Sequence, residues 1–472
     1  MSSTRAILVA LVLSSSLASA DDDTPSGDDQ RALPPESVLR QYRVSREDED
    51  WRWLLRGSEQ PDPFDRIKAI PLAESGPVLS FGGEARARLD SIENPAWGLQ
   101  DTDRLDYWLV RGMVHGDLRW QNRFRVIAAF QAADRVGSDP DPRPSIDRNT
   151  LDLQQLFVDV PLSSSSVLRL GRHELSLGVG RMISVRAGPI NVREPQDGAR
   201  YSHDFGGSRL DMFGVRVVRV EEGTFDDSSE GGDRLYGLYW TRGQPYVSSN
   251  GAEAYLLSHE RDLAVYFSGV GPEDRYSLGG RTWFRWGNWS HDIEAVYQAG
   301  EFAGGDLEAW ALSTLSTRNF GGMWSPRVEI ATGFNSGDRD PGDGDVNTFV
   351  APLPRGGYFG AFAPFGPGNM QGARVALSVN PTPRLSLYAR VYGFWRQSTD
   401  DGLYGVSGFP VVAPIGDEKF VGLQPEIGAE FAVDRHFTLS LDLAYFDRGD
   451  FLKEVPETRN IRSIGFTAGY QF

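Results

Sequence analysis

The chain has 472 residues, a formal net charge of -17 and no cysteine. That acidic balance argues against nucleic-acid binding, which requires a concentrated basic face, and the lack of cysteine excludes a disulfide framework. Length alone would suit two or three soluble domains, yet no Pro/Ser/Gly linker divides the chain after residue 78.

Arg5, the apolar run Ala6 to Leu13, the Ser14-Ser15-Ser16 patch and Ala18-Ser19-Ala20 together predict a secretory signal peptide, residues 1–20, cut after Ala20. The run is far shorter than the roughly 20 residues of a membrane-spanning helix. No later stretch approaches the ~18 consecutive apolar residues that would encode one. Residues 21–77 are expected to form an N-terminal periplasmic segment. It begins with a solvated Asp21-Asp22-Asp23 tail. Ser45 to Leu55 predicts a short helix, with Ser45 as cap, acids in the first turn, and Trp51, Leu54 and Leu55 on one face. Pro61-Asp62-Pro63 ends it. The segment is expected to pack against, or partly inside, the mouth of the fold formed by the rest of the chain.

From residue 78 the apolar period becomes two. Phe81, Gly83, Ala85, Ala87 and Leu89 oppose Glu84, Arg86, Arg88 and Asp90; Phe124, Val126, Ala128 and Phe130 oppose Arg123, Arg125 and Gln131. Tyr276, Leu278, Gly280, Phe284 and Trp286 oppose Arg275, Ser277, Arg281 and Arg285. Val421, Leu423, Ile427, Ala429 and Phe431 oppose Gln424, Glu426 and Glu430. A soluble sheet and a transmembrane barrel both read this way, with the apolar face on a core or on lipid.

Three features favour the barrel. The polar face carries charges of both signs, as a wet lumen does. Aromatics gather at strand ends (Tyr107-Trp108, Trp283 to Trp289, Tyr388 to Trp395, Tyr470 to Phe472), as in interface girdles. The chain closes on an alternating strand, Arg462 to Phe472, resembling the terminal strand that outer-membrane assembly machinery reads. Long polar connections (Glu221 to Asp233, Asp338 to Pro367, Asp401 to Lys419) alternate with short turns at Trp120-Gln121-Asn122, Pro381-Thr382-Pro383 and Val433-Asp434-Arg435. The expectation is an all-β fold: residues 78–472 as a transmembrane antiparallel β-barrel of the bacterial outer membrane, with about 16 to 18 strands.

Several stretches in order resemble the alginate export family: Glu49-Asp50-Trp51, Asp65 to Leu72, Phe81-Gly82-Gly83-Glu84-Ala85-Arg86, Asp147 to Val160, Gly171 to Tyr201, Asn335-Ser336-Gly337-Asp338 and Tyr358-Phe359-Gly360. The resemblance implies an 18-stranded pore whose basic lumen passes a polyuronate. The family also holds members beyond dedicated alginate exporters, so it implies the fold more narrowly than the substrate.

An anion pore needs fixed positive charge in a confined channel, and arginine binds carboxylates with a planar fork that pH does not neutralise. The inward faces offer Arg86, Arg88, Arg125, Arg281, Arg285, Arg390 and Arg396; the stretch from Gly171 adds Arg172, Arg181, Arg186, Arg193 and Arg200. Glu84, Asp152, Asp292, Glu294, Glu426 and Asp442 are candidate partners. All these residues are equally compatible with networks that only brace the wall. Arg172 shares the strand face of Leu168 and Leu170, so it needs a bulge or strand end to point inward. Arg186 to Gln196, broken by Pro189 and Pro195, reads as a loop, either folded into the channel or on the surface.

Gly333 to Gly344 is rich in Asp and Asn; Asn335, Asp338, Asp343 and Asp345 are weak calcium candidates, though turn chemistry explains them equally. His203-Asp204 with Ser202 or Ser208 lacks an elbow or oxyanion motif, so no enzyme and no cofactor is expected. The function expected is passive passage of an anionic polysaccharide or uronate through a single barrel. The alternatives are uptake of small anionic or aromatic nutrients, and a plugged structural or adhesive barrel.

Overall fold

The computed structural model describes residues 42–472 except 59–60, 122, 139–142, 187, 189, 230, 244–247, 356–358, 361 and 363. The predicted signal peptide and acidic tail lie outside the described residues. Eighteen alternating segments pair antiparallel with their chain neighbours. They are β1 Val78–Glu93, β2 Arg104–Trp120, β3 Phe124–Gly137, β4 Asn149–Pro161, β5 Ser166–His173 and β6 Gln196–Asp204. Next come β7 Ser208–Val217, β8 Asp233–Arg242, β9 Gly251–Tyr266, β10 Gly269–Trp286, β11 Trp289–Phe302 and β12 Gly305–Asn319. The last are β13 Arg327–Asn335, β14 Met370–Thr382, β15 Leu385–Arg396, β16 Phe420–Ala432, β17 Phe437–Arg448 and β18 Ile461–Gln471. β18 returns to β1, from Glu84 opposite Gln471 to Glu93 opposite Arg462. Closure leaves no strand edge, which is what lets a sheet lie in hydrocarbon.

The period-two pattern sets the two faces. Leu256, Tyr276, Leu278, Val375, Val391, Ile427 and Ile464 point outward and are exposed, as lipid-facing side chains must be. Val421 departs from the expected face: a register break beside Gly422 (φ +154°) turns it inward, where it is fully buried. The aromatic clusters also divide. Trp108 and Trp286 are outward and exposed, whereas Tyr107, Trp283, Tyr392 and Phe394 are buried inside. Only part of the aromatic signal is therefore a girdle; the rest is lumen packing.

One end carries short turns, such as 287–288, 383–384 and 433–436; the other carries long loops at 174–195, 218–232, 336–369 and 397–419. By the general rule for such barrels the short-turn end is periplasmic. Two connections at the long-loop end, 267–268 and 303–304, have only two residues. The 336–369 loop covers that rim instead: Val346 bridges to Leu307, and Phe349 and Leu353 join a buried cluster with Leu175 and Ile183.

The N-terminal segment lies inside the short-turn mouth. The predicted 45–55 helix is two 3₁₀ turns, Arg46–Asp48 and Arg52–Arg56, split by extended Glu49. Carbonyls that a continuous helix would use internally go to the barrel wall: Arg125 donates to Glu47 O at 2.6 Å, and Arg119 donates to Glu49 O. Arg46 donates to Gly83 O and to Phe472 O, each at 3.0 Å, so one guanidinium joins both strands of the closing seam. Lys68, in the helical turn Asp65–Lys68, sits among the rings of Trp51, Tyr42 and Phe472 at 4.9, 5.3 and 6.0 Å.

Candidate functional site

Inward positions on β1 and β2 are committed to partners. Glu84 meets Arg111 at 2.6 Å, and Arg88 is buried against Asp90 at 2.7 Å with Asp442 at 3.6 Å. Arg86 reaches across to the 174–195 loop, donating to Gly188 O at 2.6 Å and Ile190 O at 2.7 Å. Arg111 donates to Asn191 O at 2.9 Å. Arg193, 3% exposed, pairs with Glu174 and donates to Val44 O at 2.7 Å, tying the loop to the N-terminal segment below it. Arg186, in the left-handed region at φ +52°, pairs with Glu194 at 2.6 Å.

The far part of the same loop is held by the opposite wall. Arg181 bridges Glu294 at 2.8 Å and Asp292 at 3.1 Å on β11. Arg281 on β10 holds Asp292 at 2.5 Å and Glu253 at 2.9 Å, and Tyr255 donates to Glu294 at 2.8 Å. Gly178 (φ +62°) packs where a Cβ would lie 2.5 Å from the Tyr239 hydroxyl, so a side chain there would lift the loop off the wall. Residues 174–195 thus cross the lumen. Of the two readings of Arg186 to Gln196, the structure adopts the loop inside the channel, with Gln196 starting β6.

Beside this crossing, along β12 to β15, lies a cavity of about 290 Å³. Loop residues Arg181, Arg355 and Phe359 line one side; Arg327, Glu329, Arg374, Tyr392 and Phe394 line the wall. Glu329 is shared by Arg327 and Arg374, each at 2.6 Å. Arg390 on β15 pairs with Glu426, and the guanidiniums of Arg374 and Arg390 lie 5.8 and 5.9 Å from the centre of the Tyr392 ring. Acids match arginines closely on the β1–β6 side; four arginines and one carboxylate line this cavity, with Arg181 also held by Glu294 and Asp292 beyond the lining. Confinement strengthens the field of charges set in such a space.

The other sequence candidates separate clearly. Arg125 pairs with Asp117 at 2.9 Å beneath the N-terminal segment, and Arg200 with Asp211 at 2.9 Å on the inward face. Arg285 occupies an inward register and is exposed at the short-turn end.

Three expectations need correction. Arg172 stands opposite Leu156, which is 47% exposed on the outer face, and pairs with Asp197 at 2.8 Å; no bulge turns it inward. Asp152 is likewise no lumen partner: it accepts from the backbone N–H of Asp226 and Asp227, holding the 218–232 loop. Arg396 is fully buried and caps carbonyls of Thr399, Ile415, Gly416 and Glu418, so it builds the 397–419 loop rather than lining a path.

The calcium candidates do not converge. Asn335 donates to Met370 O, Asp338 accepts from Ser268 at 2.5 Å, and Asp343 and Asp345 accept from backbone N–H groups. Strand alternation also parts the hydrolytic candidates, Ser202 turning to Asp211 and His203 to Ser166.

Arg111, Arg327, Arg355, Arg374 and Glu329 are not among the residues that the sequence singles out. Four of them carry a signal there: Arg327-Val328-Glu329-Ile330 and Arg374-Val375-Ala376-Leu377 alternate plainly, and Arg111 follows the β2 period. Arg355 sits in a loop with no periodic signal.

The family model described as alginate export matches residues 78–465 of the chain. No curated protein matches the chain in sequence. Solved structures with the same fold include a BenF-like porin from Pseudomonas fluorescens Pf-5, 12% identical, covering 84% of this chain and 98% of that one with a TM-score of 0.58. Pseudomonas aeruginosa OccK9 (OpdG) is 13% identical, covering 84% and 98%, TM-score 0.57. Pseudomonas aeruginosa OccK2 (OpdF), solved in complex with glucuronate, is 12% identical, covering 84% and 98%, TM-score 0.55.

Proposed function

This chain belongs to the alginate export family, and we propose that it is an outer-membrane channel passing anionic sugars, of the uronate class, by passive diffusion. The observation that carries this reading is the cavity beside β12–β15, where Arg181, Arg327, Arg355 and Arg374 surround a single lining carboxylate, Glu329. A uronate brings one carboxylate per ring, which an arginine fork can hold through both oxygens. Because Glu329 already competes for Arg327 and Arg374, a passing anion is held without being trapped, as conduction requires.

The crossing loop favours small uronates or short oligomers over a long polymer in this conformation. Glucuronate in the complex of the similarly folded OccK2 is consistent with that size. Addition of oligouronates to single channels in a planar bilayer tests the reading. Brief, concentration-dependent blocks are expected with charged sugars and none with neutral sugars of equal length. Equal effects of both would remove the basis for anionic recognition.

A further inference from the structure

Asn191 sits at the point where the crossing loop meets the wall, and it is fully buried. The β3–β4 ladder loses register between Gln131 and Ala133, and its last pair is Ala133 with Asn149. Asp134 lies just past that pair. The Asn191 amide nitrogen fills the gap, donating to Val110 O at 3.0 Å, Asp134 O at 3.1 Å and Asp147 O at 2.9 Å. Those carbonyls belong to β2, β3 and the helical turn Pro144–Asp147. The contact with Asp147 O is buried and the other two are part-buried, and this one side chain shares its two hydrogens among all three carbonyls. On its other side, Asn191 Oδ1 accepts from Arg86 at 3.2 Å, and its backbone carbonyl accepts from Arg111.

We infer that Asn191 is the positioning residue of the constriction: it rivets the 174–195 loop to the β2–β3 wall, draws Arg86 and Arg111 into loop contacts, and so leaves the conducting path on the β12–β15 side. This rests on the channel reading above. Without the rivet the loop leaves that wall, and two guanidiniums that now hold loop carbonyls face the lumen.

Single-channel recording in a salt gradient tests it with two variants, N191A and R86A, each first shown to assemble by heat-dependent gel mobility. N191A is expected to raise conductance and to shift the reversal potential further toward that of chloride. R86A loosens the loop from its other side but removes a charge, so conductance rises without that shift. Assembled N191A with wild-type conductance and reversal potential overturns the inference. If N191A does not assemble, R86A decides it through conductance, and failure of both to assemble assigns these residues to folding alone and overturns it. Conductance is compared with wild type whichever ion carries the current. A cation-selective wild-type channel therefore refutes the anion reading, while the comparison still judges Asn191.

Discussion

At the scale of single residues, arginines of one chemical type do three different jobs, and burial with partner identity separates them. Arg193 is 3% exposed and faces Glu174, whereas the Arg327 side chain is 45% exposed beside the cavity. Removing one member of a buried pair leaves the other charge uncompensated, which typically costs about 3–5 kcal/mol. R193A is therefore expected to lower the temperature at which the folded band gives way in heat-dependent electrophoresis. Unchanged thermal behaviour would show that Glu174 finds another partner. The sequence places Arg193 among residues lining a path because it carries the charge and not the Glu174 and Val44 atoms that claim it. Arg172 shows the opposite case. Its position on the face of Leu168 and Leu170 is legible, and that local alternation marks the correct side.

At the scale of elements, the N-terminal segment and the 174–195 loop fill part of the lumen, one stacked beneath the other. Lys68 shows what docking does to a charge. Burial among aromatic rings lowers its ammonium to about 7, with nearby Arg46 adding to the effect. An undocked lysine keeps its proton to about 10.4. Between these values the undocked segment binds more protons, so docking tightens as pH rises from about 7 toward 10. Proteinase K nicking of residues 42–69, with wild type and K68M side by side, reads this out. Wild-type cleavage should slow relative to K68M from pH 7 to pH 9; a constant ratio would mean that Lys68 docks without losing its proton. The segment's place at the mouth is legible in the sequence, but its expected helix does not form. Capping and amphipathicity describe a helix in isolation, and here Arg119 and Arg125 take the carbonyls it needs.

At the scale of the whole molecule, period two from residue 78, loops alternating with turns, and a terminal strand ending in Phe472 make the closed barrel legible. The alternation repeats over many strands, so isolated exceptions such as Val421 do not obscure it. The candidate site is less legible, because it depends on which half of the wall the loops cover. Loops 174–195 and 336–369 meet inside the lumen, where Ser184 N donates to Leu353 O at 2.7 Å. No periodicity encodes such a meeting. It leaves beside β12 to β15 the cavity on which the proposed anion path rests. The reversal potential of single channels in a potassium chloride gradient tests this account most directly. The wild-type value should lie on the chloride side, and the combined R327Q, R355Q and R374Q variant should lose that preference; a potassium-side wild-type value, or an unchanged variant, would contradict it.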